Sequence, residues 1–376
     1  MKFLCTLILL TFSVGAASLE GMYKDKSITQ VSADDFIDKF SDFRWQGSNK
    51  RVAISRRSTL LDIPAYESLA YFSAKGKLVR LDAWLYNRGD QGDTSFDKFE
   101  KTYEELLVNL EKVFKVKPKR FAKDGSTRGL AYSFMISYGY EVRLLVGYDK
   151  KKKRADFLCL VMRNYGPEDK INSEAKTKSF VVKKDNGDVY VDRLPMIDQG
   201  PKGYCVPASL ARIGQQYGVD VSMHEIAMIA NSSSGGGTSP RQAMEAIKDK
   251  RARMGLSIRD IRINYKTRAY TAGASNLKLE ASKLEDKDRD MAKFEKEVIK
   301  RIDRGRVIAW SMMVGAFPEK GVQQGTWGGH MRLIIGYNSK TKEILYSDSW
   351  GSGHELKRWP LKYAYIVSTG LYDVIP

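Results

Sequence analysis

The sequence predicts an α+β protein built as two folded parts in series, and three observations carry that expectation. Residues 18–165 mix helical and strand periodicity within one block. Residues 166–189 then turn to charged and polar side chains, with Pro167 and Gly187 and few large apolar groups, which marks a linker. From residue 190 onward a helical segment precedes a pair of apolar strands that a short turn connects. The chain has 376 residues, 43% hydrophobic and 29% charged. That is ample material for packed cores, so general disorder and a single small module are both excluded. At roughly 100–200 residues per domain, the length fits two domains, or three small ones.

Residues 1–17 have a basic start at Lys2, an apolar run from Phe3 to Phe12, and then Ser13, Gly15, Ala16 and Ala17. This is the layout of a secretory signal peptide, with cleavage expected near Ala17 and export of the mature chain. The run is shorter than the ~20 residues a bilayer span needs, and no later segment is apolar enough, so no membrane span is expected. Of three cysteines, Cys5 leaves with the leader and only Cys159 and Cys205 remain, too few for a disulfide framework. Either the two pair, or one is buried and the other reactive. Their surroundings favour the second option, since Cys159 lies in the apolar run Phe157 to Met162, where a cysteine is a small hydrophobe.

Within residues 18–165, Ser32 and Asp35 cap a short helix carrying Phe36, Phe40 and Phe43. Lys77 to Asn87 alternates as a strand. A long helix opens at Thr94 or Ser95, aligns Phe96, Phe99, Tyr103, Leu107, Leu110 and Phe114, and stops before Pro118. Leu130 to Asp149 and Ala155 to Arg163 read as strands joined through Lys150–Arg154. The expected N-terminal part is a mainly antiparallel sheet with a helix across one face. The basic run between the strands is most simply a solvated turn whose charges discourage edge pairing; an anchor to an anionic surface is the other reading.

The 63 Lys and Arg against 45 Asp and Glu leave a net charge of +18, which favours anionic partners without choosing among them. No aromatic residues interleave with the basic runs and no nucleic-acid motif accompanies them, so nucleic acid is not an expected partner. The second basic stretch, Lys250 to Arg268, is threaded with Met254, Leu256, Ile258, Ile261 and Ile263 and reads as an ordinary solvated face. Ser232–Gly237 lacks the Gly-Lys-Ser/Thr ending of a phosphate loop and reads as a connector. Two cysteines and three scattered histidines offer no ligand spacing, so neither a metal nor another cofactor is expected.

The chemistry gathers in the last part. Pro207 suits a first helical turn, Leu210, Ile213 and Tyr217 share one face, and Gly218 closes the helix, which leaves Cys205 at its N-terminus. Unpaired N–H groups and the positive end of the helix dipole stabilise a thiolate there. Gln199, six residues earlier, is placed where its amide, with the Cys205 N–H, could serve an oxyanion. A thiolate needs a base. His224 opens a capping box, Ser222 to Glu225, and reads as a solvated first-turn residue, while His354 follows Gly351-Ser352-Gly353 and reads as exposed. His330 enters an apolar strand through Trp327-Gly328-Gly329, and a turn at Asn338-Ser339-Lys340 returns the chain so that Asp348 can lie beside it. A carboxylate on one imidazole nitrogen would leave the other for Cys205.

The order Gln199, Cys205, His330, Asp348-Ser349-Trp350-Gly351 resembles the papain-like cysteine peptidases, and Cys205-Val206-Pro207-Ala208-Ser209-Leu210 is most similar to their bacterial C39-like branch. The resemblance covers roughly residues 190–370, taking in the helix of Glu225 to Ala230, the Thr238–Ala246 segment, and a long helix ending at Arg304-Gly305 that feeds the strand Val307 to Val314. It implies a domain with a helical half and an antiparallel sheet half over residues 190–376. It further implies Cys205 as nucleophile, His330 as base and acid, Asp348 as orienting residue, Gln199 as oxyanion donor, and Trp350 as a shield for the His330–Asp348 bond. Papain has asparagine and tryptophan at the places of Asp348 and Val206, so its specificity is not implied.

The expected function is an exported cysteine peptidase or amidase acting on a peptide or protein through a thioester. Acyl transfer or deamidation by the same residues is the first alternative. A non-catalytic basic module on an anionic cell-surface or glycan partner is the second. The N-terminal part, which resembles no family, is expected to position substrate or restrain the active site.

Overall fold

The structure, a computed structural model, describes residues 18–375 except 25, 122–128, 138–139, 150, 165–173, 220, 231, 233–236, 249–255, 266–268, 286, 320 and 323–325. The expected leader, the start of the expected linker and most of the Ser/Gly patch lie outside the described residues.

The N-terminal half opens with α1 (Glu20–Lys24) and α2 (Ala33–Lys39), whose N-cap Ser32 accepts from the Asp35 N–H as expected. Eight strands follow in one antiparallel sheet: β1 (Arg44–Trp45), β2 (Val52–Ser55), β5 (Glu67–Phe72), β6 (Leu78–Asn87), β7 (Lys119–Phe121), β8 (Gly129–Ser137), β9 (Tyr140–Asp149) and β10 (Arg154–Arg163). Their spatial order is β1-β2-β5-β6-β10-β9-β8-β7, and β3 (Thr59–Leu60) with β4 (Ile63–Pro64) makes a separate small ribbon. The stretch Leu130–Asp149 is thus two strands, and exposed Lys151–Lys153 form the β9–β10 turn.

After the short α3 (Arg88–Gln91), helix α4 (Phe96–Phe114) is capped by Ser95 and packs its stripe of Phe99, Tyr103, Leu106, Leu110 and Phe114 onto one sheet face. No helix among the described residues is long and apolar enough to cross a membrane.

Alternation in β6 suits a strand with one wet face, yet Arg80 and Asp82 are both fully buried, because the second half of the chain covers that face. Arg80 makes two bonds to Asp82, at 2.6 and 2.9 Å, and reaches Glu225 at 3.0 Å. Glu225 in turn completes the capping box, accepting from the Ser222 N–H at 2.9 Å. Substituting Arg80→Met would leave two buried carboxylates without their main counter-charge. The expected loss is about 3–5 kcal/mol, read as a lower denaturant midpoint at unchanged slope.

The C-terminal half corrects the linker. Beyond α5 (Glu174–Lys178), β11 (Val181–Lys183) and β12 (Asp188–Val191) join the second sheet, and β12 pairs with β15 (Gly328–Asn338). The expected polar connector is therefore partly an edge hairpin, whose charged residues suit an exposed rim. Helices come first: α6 (Cys205–Gln216), α7 (Met223–Ile229) and α8 (Pro240–Lys248), then, after β13 (Ser257–Asp260), α9 (Ala269–Lys283) and α10 (Arg289–Ile302). The sheet is completed by β14 (Ile308–Val314), β16 (Glu343–Ser347), β17 (Lys357–Pro360) and, after α11 (Leu361–Val367), β18 (Ser368–Ile375). Its main path is β11-β12-β15-β14-β18-β13, with β16 and β17 continuing from β15. A helical half followed by an antiparallel sheet half matches the fold expected for residues 190–376.

The two halves are not independent bodies. Val52, Ile54, Leu69, Tyr71 and Val79 of the first sheet belong to the same apolar core as Val206, Leu210 and Ile213 of α6. Arg51 reinforces the junction, bonding to the carbonyls of Arg193 and Gln215 at 3.1 and 3.2 Å.

Candidate active site

Cys205 is the first residue of α6, and its N-cap Tyr204 supplies no side-chain bond to the free amides of the first turn. Burial pushes the thiol up, but a hydrogen bond from His330, the charge of that imidazole and backbone contacts with Met331 and Val206 outweigh it, so the thiol lies below its ordinary value. Cys159 is fully buried in β10, and there burial, with the Asp82 charge, outweighs the Arg80 charge and a backbone bond with Ala83 and drives its thiol well above the ordinary value.

His330 stands near the start of β15, opposite Met312 of β14. Pairing of Leu333 with Ser347 brings the residue after β16 back beside it, and His330 Nε2 donates to Asp348 Oδ1 at 2.7 Å. The other ring nitrogen, Nδ1, is left for Cys205. Burial alone would lower the imidazole, but the Asp348 charge and hydrogen bond, with the Cys205 contact, raise it to about 9. Burial raises Asp348, and His330 and Arg332 reverse this to hold it far below the carboxylate range. The Trp350 ring stacks on the imidazole, 4.7 Å between centroids.

Gln199 lies beside this group in the loop before α6. Its Nε2 donates to Lys202 O at 2.8 Å and its Oε1 accepts from Ser349 Oγ at 2.7 Å, which fixes the amide orientation. An amide NH₂ carries two hydrogens, so one remains beyond the Lys202 bond. All four residues singled out in the sequence thus lie on one connected set of contacts.

Three residues went unnoticed in the sequence. Arg332 Nε donates to Asp348 Oδ2 at 2.8 Å, and its other end pairs with Glu319 at 2.8 Å. It stands two residues after His330, hence on the same strand face, and that spacing was the available signal. Arg212 of α6 is buried and donates to the carbonyls of Pro195 and Asp348, both at 2.8 Å, tying the helix that begins at Cys205 to the loop that carries the carboxylate. Gly315, with φ of +90°, is the third: a Cβ there would stand 1.5 Å from Thr326 O, so only glycine admits the chain that leads into His330.

Two histidine expectations are corrected. His224 is fully buried, not solvated. Asn87 Nδ2 donates to its Nδ1 and its Nε2 donates to Glu67 Oε1, each at 3.0 Å, and burial holds it below its ordinary value. His354 is half-buried, edge-on to Trp350 at 5.6 Å, and its carbonyl accepts from the Asp348 N–H at 2.9 Å.

A thiol below its usual range, an imidazole above it, a buried carboxylate and amide donors form a set able to attack a carbonyl and to protonate a leaving group. The sequence from 191 to 368 matches the model of the Peptidase_C39 like family. Among solved structures, xylellain, a cysteine protease from Xylella fastidiosa, matches with 12% identity and a TM-score of 0.30, over 55% of this chain and 90% of its own. No curated protein matches the sequence. The C-terminal half of this chain is a Peptidase_C39-like domain.

Proposed function

We propose that this protein is a cysteine peptidase or amidase that cleaves a peptide or amide bond through a thioester on Cys205. The observation that supports it most is the shared imidazole: His330 bonds Asp348 at 2.7 Å through Nε2 and meets Cys205, at a helix N-terminus, on its other side. In this reading the thiolate attacks the carbonyl carbon, and the oxygen takes the negative charge toward the Cys205 N–H and the Gln199 amide. The His330 imidazolium gives its Nδ1 proton to the departing amine. The neutral imidazole then takes a proton from water, which attacks the thioester and releases the acid and the thiolate. Asp348 keeps the proton on Nε2 throughout.

Limiting iodoacetamide over a pH series, with the adduct mapped by mass spectrometry, tests this without a known substrate. Cys205 is expected to label rapidly well below pH 8, while buried Cys159 stays unlabelled. Hydrolysis of a peptide substrate is expected to fall again above pH 9, as the imidazolium that protonates the amine is lost. Labelling that follows an ordinary thiol, titrating near about 8.5, would sink the proposal. Product mass separates hydrolysis, which yields a new carboxylate, from transfer to an amine.

The leader pattern of residues 1–17 supports a second proposal, that the chain is exported. A chain that stayed inside the cell with residues 1–17 still attached would overturn it.

A further inference from the structure

The loop that runs from Asp198 to Tyr204 into the Cys205 helix is held at each end by the N-terminal half. At its start, Gln46 Oε1 accepts from the Asp198 N–H at 3.4 Å. At its end, Tyr204 packs so closely on α3 that a Cβ on Gly89 would lie 2.2 Å from the tyrosine hydroxyl. Between them Lys202, 4% exposed, extends its side chain into the junction with the N-terminal half. Its Nζ lies 3.4 Å from Asp90 Oδ2 and 3.7 Å from Glu67 Oε2, and over the rings of Tyr66 and Tyr204. Glu67 is fully buried and is itself fixed by His224.

A buried ammonium needs a counter-charge, and the described residues that supply it here, Glu67 and Asp90, belong to the N-terminal half. The same lysine's carbonyl is the acceptor that holds the Gln199 amide. We infer that Lys202 is a positioning residue, clamped by Glu67 and Asp90, and that through it the N-terminal half sets the Gln199 amide for the oxyanion. This rests on the proposed roles of Cys205 and Gln199. It makes the N-terminal half a working part of the site and not a removable cover.

Two reagents separate this role from a merely structural one. Iodoacetamide is displaced at a saturated carbon: the S–C bond forms, iodide leaves with its electron pair, and no oxyanion arises. p-Nitrophenyl acetate is attacked at its carbonyl: the S–C bond forms, charge gathers on the oxygen, and p-nitrophenolate leaves to give the acetyl thioester. A misplaced Gln199 slows the second reaction and spares the first.

In the full-length protein, Gln199→Ala and Lys202→Met are each expected to slow acylation by about 10²-fold, as loss of an oxyanion donor does. Alkylation stays within about twofold of the parent, which also certifies an intact Cys205–His330 pair. The double variant is expected to be no slower than Gln199→Ala alone. Asp90→Asn, made from the other side of the contact, slows acylation in the same selective way, and Lys202→Arg restores part of the rate. Should Lys202→Met fold badly and lose alkylation, Asp90→Asn decides the matter. A parent protein slow with both reagents would overturn the peptidase reading and this inference with it. A parent rapid with both, with Lys202→Met or Asp90→Asn acylating at the parent rate, would overturn the inference alone.

Discussion

Replacing His330 by alanine is expected to cut iodoacetamide labelling of Cys205 at pH 6 by about 10²-fold, and amide hydrolysis by about 10⁴-fold or more. The two numbers differ because they read different losses. Alkylation needs only the thiolate. Without His330, the hydrogen bond and positive charge that offset the burial of Cys205 disappear. A thiol of ordinary pKa, ~8.5, is about 0.3% ionised at pH 6, and burial lowers that fraction further. Hydrolysis loses the thiolate and also the acid for the leaving amine and the base for water, three tasks performed by one side chain. Alkylation rates across pH, beside turnover of a peptide substrate, check both figures. Equal losses in the two assays would show that His330 serves only to form the thiolate.

Removing the carboxylate with Asp348→Ala is expected to damage stability and chemistry together. Asp348 accepts from His330, from Arg332 and from the Ser349 N–H, at 2.7, 2.8 and 2.8 Å. Deleting it strands a buried guanidinium with Glu319 as its remaining carboxylate, at a cost of about 3–5 kcal/mol, visible in the denaturant midpoint. Asp348→Asn retains the shape and an acceptor oxygen, so it separates charge from geometry. The Asp348 charge is the largest of the contacts that lift His330 to about 9 against its burial. Neutralising it lowers the imidazole, so the upper pH limit of turnover is expected to move down by about one unit or more. An upper limit that stayed near pH 9 in Asp348→Asn would show that the carboxylate does not set the base.

Much of the candidate site was legible because its signals are local. Pro207 and the Leu210–Ile213–Tyr217 stripe mark α6, and the helix does begin at Cys205. The Asn338-Ser339-Lys340 turn and its flanking apolar strands form the β15–β16 pair that returns Asp348 to His330. Helix period, cap and turn each act over a few residues, so residue type and spacing are enough to place them.

The polar residues of the interior were misread for the opposite reason. His224 looked like a wet capping-box residue, and its burial depends on Glu67, 157 positions earlier in the chain. The stretch holding β12 looked like a linker because its sequence is polar and its pairing partners in β15 lie about 150 residues downstream. Lys202 and Arg332 are charged types that a single sequence assigns to the surface, since burial without a partner would cost too much. By itself the sequence determined where helices start, which strands turn back on each other, and the order Gln199, Cys205, His330, Asp348. Only the tertiary structure decided that the N-terminal sheet closes over the helices beside the site, and that Glu67, Asp90 and Glu225 there meet Lys202 and Arg80. A backbone preference is set by neighbours in sequence, whereas the free energy of a buried charge is set by whichever distant segment brings its counter-charge.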